Sequence, residues 1–254
     1  MNEVTRQLKQ RKSVRVFEDR VIDETTVQEI LSAAVNAPTA GNQQLYTILR
    51  ITDPEIKTRL SVSCDHQPFI AEGKLVLVFC ADCLKWYDAF RAAGCGPREP
   101  GTGDLLLAVN DALIAAQNAV TAAGSFGIGS CYIGDIMENI ETQREILHLP
   151  EYVFPAALLV FGYPTEQQKL RKKPERVDMK FIVQENSYHR HTADELKDML
   201  GYKSGEKSYE EWINAFCVRK YNSDFSREMT RSVTEALRQF GYREAASRDG
   251  HDQQ

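Results

Sequence analysis

The chain has 254 residues, 43% of them hydrophobic and 26% charged, with a net charge of −5 at neutral pH. That length supports one large domain or two small ones around a proper core, and the acidic balance argues against a nucleic-acid partner, which needs a basic face. No apolar run approaches the roughly 20 residues of a bilayer span, so no membrane role is expected.

In chain order, residues 1–10 are polar and helical in pattern, which does not suit a signal peptide, and the expectation is a cytoplasmic protein. A short helix over residues 4–11 runs into Arg11-Lys12-Ser13-Val14-Arg15. Asp23 caps a second helix, in which Val27, Ile30, Leu31 and Ala34 keep a helical stripe. Residues 46–51 read as a strand, 54–61 as a helix and 75–80 as a buried strand. Asp104 then caps a long helix to about residue 123. Its apolar residues wrap most of the circumference, and such a helix is buried on all sides, in one core or between subunits. Residues 142–147 are helical and 156–162 (AALLVFG) form a strand. Residues 165–180 are strongly charged, and beyond them apolar positions are scattered. One late helix keeps Phe225, Met229, Val233, Leu237 and Phe240 at three- and four-residue steps, and the last dozen residues are expected to fray. The pattern is that of one α+β domain with a C-terminal extension.

In an extended segment, alternation places Arg11, Ser13 and Arg15 on one side. Two guanidinium forks and a hydroxyl there suit a phosphate dianion beside a polar ring edge. The competing reading is a solvated basic turn. Six cysteines are too dilute for a disulfide scaffold. Cys80 and Cys83 form a CxxC, but Cys80 ends a buried strand, so packing is the stronger assignment. Gly94-Cys95-Gly96, Gly101-Thr102-Gly103 and Gly127-Ile128-Gly129 each fail the dinucleotide pattern, and no phosphate-binding GxxxxGK[ST] loop occurs. None of the five histidines sits in a nucleophile motif.

Five blocks together resemble the nitroreductase family of FMN-dependent oxidoreductases, over roughly residues 5–180. They are RKSVRVF (11–17), APTAGNQQ (37–44), HQPFIAEGKLVLVFCAD (66–82), GIGSCYIGDI (127–136) and GYPTEQQKLRKKP (162–174). The resemblance implies an α+β nitroreductase-like fold with a central mixed β-sheet flanked by helices and a long central dimer helix. It implies an FMN-binding domain over 1–180, and an extension over 181–254 packing on the core or on the partner subunit of a homodimer. FMN would be the cofactor and NAD(P)H the electron donor. Hydride would pass by flavin N5 to a small electron-poor acceptor (nitroaromatic, quinone or flavin) in a ping-pong cycle, with no metal and no catalytic side chain.

Carried over by position, Arg11 and Ser13 would hold the FMN phosphate, with Lys12 helping through its backbone, and Arg15 would face the N1/O2 edge of the ring. Pro38, Thr39, Ala40, Gly41 and Asn42 would curl under the ring from the partner subunit. Gln67, or His66 beside it, falls near the pyrimidine end of the flavin. Ile133 and Gly134 match the loop near N5 and O4. Arg171 and Lys172 are the choices for a second phosphate clamp within the run Lys169–Lys173, where Leu170 replaces an expected cation. Two alternatives stay open: a dehalogenating or flavin-fragmenting enzyme with residues 84–103 as a lid bearing Trp86, Tyr87 and Phe90, or a non-enzymatic flavin- or ligand-binding protein.

Overall fold

Residues 1–243 are described by the computed structural model, and they fall into two units. The first is Met1–Arg171 together with residues 231–243; the second is Lys172–Thr230. The division therefore falls inside the charged run, ahead of the boundary at 180 that the sequence suggests, and the C-terminal helix returns to the first unit.

The first unit opens with α1 (Glu3–Gln10), whose N-terminus is closed by the Asn2 side chain accepting from the Thr5 N–H at 2.9 Å. Helix α2 (Glu24–Val35) starts as its Asp23 predicts, with the carboxylate accepting from the Thr26 N–H at 2.9 Å. Then come β1 (Tyr46–Arg50), α3 (Pro54–Ser63), α4 (Phe69–Glu72), β2 (Leu75–Asp82), α5 (Leu84–Ala92) and α6 (Thr102–Ser125). The unit continues with β3 (Gly129–Ile133), α7 (Ile140–Leu147), β4 (Val153–Gly162) and α8 (Glu166–Leu170). Asp104 is not the cap of α6 but a residue of its first turn, accepting from the Gly101 N–H at 2.7 Å and pairing with Arg98 at 2.6 Å.

The four strands lie in the order β1-β2-β4-β3, and every pairing is antiparallel. The mixed sheet expected from sequence is thus corrected: the parallel element is a single bridge, Ser13 to Ser130. The central strands β2 and β4 are buried along their whole length, because helices cover both faces and successive side chains alternate between two cores. Leu75, Leu77, Phe79 and Ala81 join Leu159 and Phe161 against α2 and α6. Val76, Val78 and Cys80 join Leu158, Val160, Cys131 and Ile133 against α3, α4 and α7. Burial pushes the Cys80 and Cys83 thiols up to about 12, as expected of core residues and not of a redox pair.

Helix α6 approaches the sheet closely because Ala108, Ala112, Ala115, Ala116, Ala119 and Ala123 form its inner face. Its outer face is not buried within the chain, so of the two expected settings, one core or a subunit interface, the single core is ruled out: Leu106 is 64% exposed, and Leu107, Leu113 and Ile114 are exposed too. It is the one helix among the described residues long and apolar enough to cross a membrane, yet Asp111 is buried at its middle.

The second unit holds α9 (Met179–Ile182), α10 (Ala193–Leu200), α11 (Tyr209–Lys220) and the start of α12 (Asp224–Arg238). Capping boxes at Thr192/Glu195 and Ser208/Glu211 begin α10 and α11. The later part of α12 belongs to the first unit, where Ser232 donates to the Met137 carbonyl at 2.7 Å and accepts from the Ile140 N–H at 2.9 Å. Ala236 and Phe240 enter the core beside α6. The last dozen residues, expected to fray, lie almost entirely outside the described residues.

Candidate functional site

The segment Arg11–Arg15 lies along β3, the edge strand after Gly127-Ile128. The Val14 N–H donates to the Ser130 carbonyl at 3.0 Å. Gly129 makes this approach possible, because a Cβ there would meet Val14 Cγ2 at 2.6 Å. Val14 is therefore buried, and alternation turns Arg11, Ser13 and Arg15 the other way. The Arg11 guanidinium stands 5.6 Å from the Tyr132 ring centroid. Its Nε and Nη2 are fully buried and have no hydrogen-bond partner. A buried donor left unpaired costs about 1–3 kcal/mol, and more when charged. Two such donors on one planar fork fit an anion with several oxygens, a phosphate above all.

The chain after β4 closes one side of this group. Lys12 Nζ donates to the Lys169 carbonyl at 2.7 Å and to that of Arg171. Lys12 thus ties the two segments through its ammonium, a role beside the backbone contribution expected of it. Arg171 returns the tie by donating to the Ser13 carbonyl. Buried Gln168, which the sequence did not single out, accepts from the Arg15 N–H at 3.4 Å. Lys169 is engaged by Glu166 at 2.6 Å and Glu18 at 3.2 Å. Lys172 is the first residue of the second unit.

Ile133 ends β3 buried, whereas Gly134 begins the following turn with open space where a Cβ would be. Cys131 is buried on the same strand. Burial raises its thiol pKa, against the opposing pull of the Arg15 and Arg11 charges and of hydrogen bonding to Ser13 and Arg15. Tyr132 is pushed up to about 12 by the same burial.

Pro38–Asn42 are organised by a different centre. Asp111 on α6 accepts from the Thr39 hydroxyl, the Ala40 N–H at 3.0 Å and the Leu45 N–H at 3.2 Å. Thr39 Oγ1 in turn accepts from the Gln44 N–H at 2.7 Å. Gly41, Asn42 and Gln44 all take left-handed φ, so the turn is tightly coiled. Sequence reasoning passed over Asp111, although one carboxylate amid the apolar residues of a helix was a usable signal. Gln67 is likewise committed locally: its amide donates to the Cys64 carbonyl at 2.9 Å, and its own carbonyl accepts from Ser61 at 2.9 Å. His66 beside it is exposed, with φ 51°.

Residues 84–103 form α5 and an irregular return. Trp86, Tyr87 and Phe90 line a cavity of about 320 Å³ with Gln43, Arg98 and Leu107. Trp86 Nε1 donates to the Gln43 carbonyl at 2.8 Å, which joins this aromatic patch to the turn held by Asp111. No residue of the Arg11 group lines it.

Comparison with known proteins gives a consistent picture. The profile described as the nitroreductase family matches residues 8–163. An FMN reductase (NADPH) of Bacillus subtilis is 30% identical over 211 residues, covering 82% of this chain and 84% of that protein. An oxygen-insensitive NADPH nitroreductase of Salmonella typhimurium is 35% identical over 177 residues, covering 70% of this chain and 71% of its own. The solved structure of the NfrA1 nitroreductase of B. subtilis superposes with a TM-score of 0.76 at 28% identity, covering 89% of this chain and 98% of that one.

Proposed function

The chain belongs to the nitroreductase family, and from that premise we propose that it passes hydride from NAD(P)H, by bound FMN, to a small electron-poor acceptor in a ping-pong cycle. Nitroaromatics, quinones and free flavin are the acceptor class. The observation that carries the cofactor assignment to particular residues is the buried, unpaired guanidinium of Arg11.

FMN, when bound, supplies two-electron redox chemistry at its isoalloxazine ring, so the protein needs no nucleophile or general acid of its own. Arg11 and Ser13 would hold the phosphate. Lys12 and Arg171 keep that cradle in shape by tying residues 11–13 to residues 169–171. Arg15 would stand at the ring edge where negative charge grows on reduction, a position at which a fixed cation is effective in a partly dry site. Ile133 and Gly134 would offer backbone to the ring, and the open space over Gly134 supports a close approach. Gln67 or His66 would serve the pyrimidine end, and Lys172 would add to the phosphate clamp. The exposed apolar face of α6 (Leu106, Leu107, Leu113, Ile114) supports a homodimer in which this helix meets its copy, and the 38–42 turn would serve the partner's flavin.

The purified protein is expected to be yellow, to carry one FMN per chain, and to bleach with NAD(P)H in the absence of an acceptor. Steady-state oxidation with each acceptor class then ranks them. A colourless protein that FMN cannot reconstitute would end this assignment.

A further inference from the structure

The second unit holds a cluster of ligand-type side chains that the proposed reaction does not use. His191 Nε2 lies 3.0 Å from the Phe181 carbonyl oxygen. A carbonyl only accepts, so Nε2 carries the hydrogen and Nδ1 keeps its lone pair. That Nδ1 is fully shielded and has no hydrogen-bond partner. Two further ligand-type side chains, His189 and Glu195, lie beside this imidazole. His189 Nε2 lies 3.1 and 3.3 Å from the two Glu195 oxygens. The three ligand atoms of His189, His191 and Glu195 all lie within 4.8 Å of one another.

We propose that His189, His191 and Glu195 bind a divalent transition-metal ion of the zinc class. Three donors about 2 Å from a common tetrahedral ion stand ~3.3 Å apart, so modest side-chain rotations close the set. Two imidazoles with one carboxylate select zinc, nickel, cobalt or copper over magnesium and calcium, which take oxygen ligands.

The groups behind the ligands are arranged as a metal site requires. The Phe181 carbonyl orients His191 through its far nitrogen, as backbone carbonyls orient ligating histidines generally. The Thr192 N–H holds Glu195 Oε2 at 2.7 Å and leaves Oε1 to ligate. Gln184 pins the His189 backbone on both sides: its Oε1 accepts from the His189 N–H at 2.6 Å, and its Nε2 donates to the His189 carbonyl at 2.9 Å. His191 also lines an open depression with Gln184 and Tyr188, which gives an ion a way in. Coordination replaces the hydrogen bond now joining His189 to Glu195, and it fixes the loop from Phe181 to His191 onto the first turn of α10.

The test uses tag-free, FMN-loaded full-length protein, stripped with a chelator and titrated with zinc by calorimetry, with metal analysis after dialysis. One zinc per chain is expected. His191→Gln, which keeps a donor for the Phe181 carbonyl but loses the Nδ1 ligand, should weaken binding by at least about tenfold. His189→Ala should do the same, and His148→Ala should leave it unchanged. Far-ultraviolet circular dichroism of each variant, which includes the helices of the second unit, reports that it has folded. Absence of zinc binding in the wild type, or binding by the His191→Gln and His189→Ala variants as tight as the wild type's, would show that His189 and Glu195 form a surface ion pair only.

Discussion

Two sets of polar groups in the first unit meet burial in opposite ways. Around Asp111, three donors from the Thr39–Leu45 turn converge on one buried carboxylate, and the chain satisfies itself. Around Arg11, a guanidinium is buried with two nitrogens unpaired although Ser13, Tyr132 and a second cation lie close by. A sequence that can place an acceptor under one turn could place one under the other. On the proposed function the first set is architecture and the second is kept open for a ligand, because a bound phosphate would remove the cost of the unpaired donors.

The sharpest way to break that contrast is Asp111→Ala. It strands three donors, each costing about 1–3 kcal/mol when buried without a partner, so a loss of at least about 3 kcal/mol is expected in chemical denaturation. Arg11→Ala should behave in the opposite sense. The apoprotein should keep or gain stability, while FMN binding weakens about ten- to a hundredfold, the equivalent of about 1.5–3 kcal/mol. Equal destabilisation of the apoprotein by both substitutions would show that Arg11 is structural too.

Arg15→Ala sharpens the comparison within the cationic segment. Its charge is assigned to a place where negative charge appears only on reduction. The midpoint potential of flavin-saturated protein should fall, and a loss of about 1.4 kcal/mol corresponds to roughly 30 mV for a two-electron couple. A potential that stays put while affinity drops would move Arg15 to the phosphate.

The smallest effect lies at the return of α12, where Arg231 pairs with Glu141 at 2.8 Å. The Arg231 hydrogen bonds hold the Glu141 carboxyl down at about 2, from an ordinary value of 4.5. A folded-state pKa below the unfolded one gives stability that is complete above about 4.5 and is lost as pH falls through about 2. Both side chains are about half exposed, so the contribution is about 0.2–1 kcal/mol. Comparing the acid limb of wild type and Glu141→Gln over that window measures it, and superimposable limbs would show that the pair contributes nothing.

Much of this was legible in particular residues. Asp23 and the Val27–Ile30–Ala34 stripe produced α2 as read, and LVLVFC and AALLVFG produced the two central strands. The side on which Arg11, Ser13 and Arg15 lie followed from alternation once Val14 turned inward. Strand β3 was not legible: GSCYI is five residues with neither an apolar run nor a clean alternation. It is a strand because β4 and the 13–14 segment pair with it. The tie made by the Lys12 ammonium was not legible, because its acceptors lie 157 and 159 residues away.

By itself the sequence determined what short-range physics decides, namely which residues cap helices, which runs must be buried, and which cationic residues occur together. Only the tertiary structure decided which buried donors find acceptors and which apolar face of α6 is covered. Pairing and burial depend on groups that the fold brings together from far along the chain. For Asp111 with the turn, Lys12 with residues 169–171 and the two unpaired nitrogens of Arg11, no local propensity carries that information.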